Sequence, residues 1–83
     1  MYLYFDFKIY RIKNKWVNIV GKKLSEHTRP YKIYKDLLLI ACDHQGFINS
    51  LQLYKDEIIR KIKKFTKEDK ILINDVKFIF KQN

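Results

Sequence analysis

Cys42-Asp43-His44 is where a thiol, a carboxylate and an imidazole stand side by side in this chain. A nucleophilic cysteine needs a lowered pKa and an oriented base, and a structural zinc site needs four ligands, usually cysteine and histidine. Neither set is complete here. Cys42 is the only cysteine, His27 is the only other histidine, and Cys42 ends an apolar run that begins at Leu37. A free cysteine in that setting is a buried packing residue. His27 suits the capping of a helix end better than proton transfer. The carboxylates are scattered among lysines, without the paired, isolated arrangement of an acid–base site. There is no P-loop pattern, so any ATP consumed alongside this protein must be bound by another one. The sequence therefore reads as a non-enzyme, with no metal, cofactor or small-molecule substrate.

Cations are the chemistry the chain has in quantity. Its 83 residues carry a formal charge of +9, a field that favours nucleic acid, an acidic protein surface or anionic lipid. Lysine supplies fifteen of the eighteen cations, which an AT-rich genome would also produce. Two groups stand out as anion contacts. Lys22, Lys23, Arg29, Lys32 and Lys35 surround a loop and hairpin, and Arg60, Lys61, Lys63 and Lys64 gather near the end of a helix. Tyr31 and Tyr34 are candidate stacking partners for bases. Arg29, on a loop stiffened by Pro30, suits a phosphate, an acidic partner patch or a tie within the loop. No Gly-x-x-Gly clamp is present, so strand binding of this kind would track phosphates with little base preference.

The elements that must position these residues follow from hydrophobic spacing. Phe5, Ile9, Ile12, Trp16, Ile19 and Val20 predict a first helix from about Asp6 to Leu24, with Trp16 in the core. Gly21 falls inside it, where a glycine marks close packing against a neighbour. Tyr31 to Tyr34 and Leu37 to Cys42 flank Lys35-Asp36 and predict a β-hairpin, with Asp36 the residue that tolerates a left-handed turn. Asp43 closes the second strand and is placed to cap the next helix. That helix carries a buried stripe of Phe47, Leu51, Tyr54, Ile58, Ile62 and Phe65. Val76, Phe78 and Phe80 alternate in a final strand, which Ile71 to Ile73 extend or approach. The order helix, strand, strand, helix, strand predicts an α/β (α+β) fold: one three-stranded sheet with its helices on one face.

Residues 1–83 form a single domain, with no repeat and no linker. A lone cysteine suits a reducing compartment. No apolar run reaches membrane-spanning length, and Met1 to Phe7 lacks the basic leader and cleavage site of a signal peptide. A cytoplasmic, nucleoid-associated protein without a membrane partner is expected.

The stretch from Trp16 to Pro30 adds a more specific signal. Trp16, then Ile19-Val20-Gly21, then Leu24 and His27-Thr28-Arg29-Pro30, resembles the signature of the DciA-like domain family. The likeness continues through Leu37 to Asp43, Phe47, Leu51 to Ile59 and Asp75 to Phe78, covering about residues 9–80. Where the family usually opens its second long helix on Trp, this chain has Phe47 after His44-Gln45-Gly46. The resemblance implies a KH-like fold and a DNA-replication role: binding the DnaB-type replicative helicase and single-stranded DNA to promote helicase loading. The alternative is a general nucleic-acid-binding module, for RNA as well as DNA, without a helicase partner.

Overall fold

The computed structural model describes residues 7–81, so the expectations on Phe5 and Asp6 lie outside the described residues. The chain runs α1 (Phe7–Asn14), α2 (Trp16–Val20), α3 (Lys22–Ser25), β1 (Thr28–Tyr34), β2 (Leu37–Cys42), α4 (Gln45–Leu53), α5 (Lys55–Glu68) and β3 (Asp75–Phe80). The strands form one sheet in the order β1-β2-β3. β1 and β2 are antiparallel, and β2 and β3 are parallel, joined by a crossover through α4 and α5. This is the mixed α+β arrangement expected from the element order, and it is consistent with the KH-like fold that the resemblance implies.

The expected first helix is three pieces. Lys15 leaves helical geometry and its N–H turns back to the Ile12 carbonyl at 3.2 Å. Gly21 then stops α2 at φ 93° and ψ 158°, a backbone region that side chains other than hydrogen make costly. A Cβ on Gly21 would meet nothing within 4 Å. Close packing is therefore not its reason; backbone freedom is. The carbonyl of Gly21 accepts from the Ser25 N–H at 3.0 Å and opens α3. Despite these breaks, Ile12, Trp16, Ile19 and Val20 are all buried as their spacing predicts.

Trp16 reaches the sheet by a hydrogen bond. Its indole N–H donates to Thr28 Oγ1 at 3.1 Å, and the Thr28 hydroxyl donates to the Leu24 carbonyl at 2.6 Å. Pro30, buried against the core, stands opposite Ile40, and a bulge follows between Pro30 and Lys32. Proline lacks an N–H, so an edge strand at a bulge is where a sheet accommodates it. The left-handed residue of the hairpin turn is Lys35, at φ 58°, rather than Asp36. Asp36 instead binds Asn74 twice: its carbonyl accepts from the Asn74 N–H at 2.9 Å and its carboxylate from the side-chain amide at 3.0 Å. The turn is thereby tied to the head of β3.

The second long helix breaks at Tyr54, which the spacing placed in the buried stripe but which is 56% exposed. Phe47 and Phe65 are only partly buried. Leu51, Ile58, Ile62 and Thr66 form the buried line. Thr66 is tolerated there because its hydroxyl donates to the Ile62 carbonyl at 2.9 Å. The cap of α4 is His44, whose Nδ1 accepts from the Gly46 N–H at 3.2 Å; Asp43 does not cap it. Ile71 and Ile73 are buried in a non-strand approach to β3, with Leu72 turned outward. Cys42 is fully buried at the end of β2, and burial, then the Asp43 charge, pushes its thiol up to about 11.

These features predict three outcomes. Thr28→Val keeps the shape but strands the indole N–H and the Leu24 carbonyl, at about 1–3 kcal/mol; urea unfolding should show a lowered midpoint with an unchanged m-value. Gly21→Ala and Gly21→Ser should each lose about 1–3 kcal/mol. The two should be alike in thermal melts, because the cost lies in φ and not in a steric clash. Cys42 should resist maleimide or disulfide reagents at pH 8 in the native protein and react promptly in denaturant; fast native labelling would contradict its burial.

Candidate nucleic-acid interface

Helical periodicity divides the cations of α5. With Ile58, Ile62 and Thr66 facing the core, Lys61 and Lys64 stand on one flank and Lys63 and Lys67 on the other. Lys61 and Lys64 share a groove of about 650 Å³ with Lys15, Asn18, Gly21, Phe65 and Glu68, at the seam between α2 and α5. Lys61 also lines an adjoining groove with Lys23, Leu24, Tyr54 and Ile58. Lys23 of α3 therefore lies beside α5 rather than beside the hairpin, and Lys22 is exposed at the start of α3. Lys63 lies apart, beside Lys67, Leu72 and Asn74. Arg60 is exposed on the outer side of the helix.

The remaining cations of the first expected group lie on the sheet. Arg29 pairs in register with Ala41, and Lys32 with Leu39. Leu38, Ile40 and Cys42 point into the core, so their alternates, and the partners of those alternates, face the other side. Lys35 sits at the turn with its Nζ 5.5 Å from the centre of the Tyr34 ring. Two further cations join this face, from β3 and from the residue that follows it. Lys77 is in register with Leu39, and Lys81 places its Nζ 4.8 Å from the centre of the Tyr31 ring. The sequence reading missed both. The signal was present, because burying Val76 and Phe78 forces Lys77 outward by strand alternation.

His27 satisfies the helix end expected of it through its backbone, while its side chain turns elsewhere. Its Nδ1 lies 3.4 Å from a carboxylate oxygen of Asp43. Its ring meets Phe47 edge-on, with centroids 5.3 Å apart. Its backbone N–H closes the helical arm on the Leu24 carbonyl, and its carbonyl accepts from the Asp43 N–H. With His44, Gly46 and Ser50, these residues line an open groove of about 580 Å³. Cys42 points away from that groove into the core. Among the described residues no group of three His, Cys, Asp or Glu is placed to hold a metal ion.

The surface that remains is cationic, aromatic in part, and suited to holding a polyanion. Among the described residues no helix is long and apolar enough to cross a membrane. Comparison with curated proteins found no match. Comparison with family models did: the DciA model, described as Dna[CI] antecedent, matches residues 3–78. That span takes in the Trp16 to Pro30 signature, the hairpin, both long-helix segments and most of β3. The chain belongs to the DciA family, whose role lies in DNA replication and the loading of the DnaB-type helicase.

Proposed function

We propose that this protein is a DNA-replication accessory factor that binds the DnaB-type replicative helicase and single-stranded DNA, and helps the strand enter the helicase. The observation that supports this most is the family match over residues 3–78. The cationic surfaces on the helical side and on the sheet are compatible with it. The protein works as an adaptor in the cytoplasm, at the nucleoid. One surface docks the helicase while lysines and Arg29 hold the strand nearby, which raises the local concentration of strand at the ring. Strand binding of this type is driven by phosphate neutralisation, so it weakens steeply with salt.

The test is a loading assay. Fluorescent single-stranded DNA is titrated with the cognate helicase, with and without this protein, and anisotropy is followed. The protein should increase helicase binding to the strand, and the Arg29→Glu, Lys32→Glu, Lys35→Glu triple variant should lose most of that increase while melting as the parent does. No enhancement, with the protein alone still binding the strand, would replace this reading with a nucleic-acid-binding module that has no helicase role.

A further inference from the structure

The helices cover one face of the sheet, and the opposite face carries a repeating arrangement of charge and apolar surface. Strand register sets it in rows: Lys32, Leu39 and Lys77 in one, and Arg29, Ala41 and Ile79 in the next. Tyr34 stands beside Leu37 toward the turn. Tyr31, at the bulge, meets Lys81 from the far edge strand, so their contact spans β2. Tyr31 is 41% exposed and Tyr34 58%. Leu39 and Ile79 are half-buried and give the face an apolar floor.

We propose that this open sheet face is a stacking platform for single-stranded nucleic acid, with Tyr31 and Tyr34 receiving bases and Arg29, Lys32, Lys77 and Lys81 receiving phosphates. The inference rests on the strand-binding part of the proposed function and gives that activity a place. An exposed ring with an ammonium beside it offers a base a stacking surface and its phosphate a counter-charge. Among the described residues none of the four cations has an ion pair. The one acid in the register, Asp75, is held by Lys55 of α5 at 3.5 Å, so it does not neutralise them. An acidic amphipathic helix would also be drawn to this charge, but it needs a groove for its apolar stripe. The grooves described above, on the helical side and at the approach to β3, lie elsewhere. A surface of exposed tyrosines interleaved with cations fits bases better than it fits such a helix.

The experiment compares two labelled oligonucleotides of about twelve nucleotides, one of thymidines and one abasic with the same phosphate count, across a salt series. The parent should bind the thymidine strand more tightly than the abasic one, with a log–log salt slope near −2.8 for roughly four phosphate contacts. Tyr31→Ala with Tyr34→Ala should weaken thymidine binding about tenfold or more and leave abasic binding and the slope unchanged. Lys77→Glu with Lys81→Glu should flatten the slope for both strands. Melting curves check that each variant folds. The platform is overturned if the tyrosine variant binds both strands like the parent while Lys61→Glu with Lys64→Glu abolishes binding, which would place the strand on the helical side. It is also overturned if a glutamate-rich peptide is bound and neither oligonucleotide is. Running the helicase-loading assay with the tyrosine variant separates the two readings. Loading that persists at full strength sinks the platform and leaves the loader intact, whereas no loading even by the parent sinks the loader.

Discussion

The indole of Trp16 meets the hydroxyl of Thr28, and that hydroxyl passes its own proton to the Leu24 carbonyl. Three separate elements converge in this chain: α2, the end of α3 and the first residue of β1. A helical arm interrupted at Lys15 and Gly21 has no continuous backbone ladder to keep it straight. What fixes its path is side-chain burial along Ile12, Trp16, Ile19 and Val20, with these bonds supplying direction where apolar contact supplies none. A buried indole N–H needs a partner, and a threonine that both accepts and donates serves the helix and the strand at once. The spacing from Trp16 to Thr28 in the family signature has this physical content.

β2 is the other organising element. Being central, it pairs on both edges, and its alternation divides the molecule. Leu38, Ile40 and Cys42 face the helices; Leu37, Leu39 and Ala41 face the opposite side. The core face is closed by Ile58 and Ile62 of α5 and by the helical arm. The opposite face is left to cations and tyrosines from the edge strands. A charge of +9 on so small a body works against compactness through self-repulsion. Spreading the cations over two sides of the molecule limits that repulsion, and a bound polyanion would remove it.

Much of the fold was legible in the sequence, because burial follows period. The spacing around Ile12 and Trp16, the apolar run of β2 and the alternation of β3 each announce their element. The helix breaks were not legible. Gly21 reads as a tolerated residue inside a helix until its φ of 93° is seen, and Tyr54 continues an apolar stripe by spacing alone although it lies at a break in the backbone. Asp43 offered a better cap than His44 by residue type, yet His27 stands close enough to take the carboxylate. Local preference lost to a partner twelve or more residues away, which a single sequence does not display.

The chain's own order of residues determined the element types, their succession, most of the core, the burial of Trp16 and membership of a family with a recognisable signature. Tertiary structure alone decided which cations share a surface. Residues close in sequence are not close in space on a helix flank: Lys61 and Lys63 diverge because two residues turn the helix by about 200°. Residues remote in sequence become neighbours across a sheet: Lys32 and Lys77 share a row because β2 lies between them in register, and Tyr31 reaches Lys81 over the same strand. Charge can be counted from a sequence, but its grouping depends on the helix phase and strand register that packing selects.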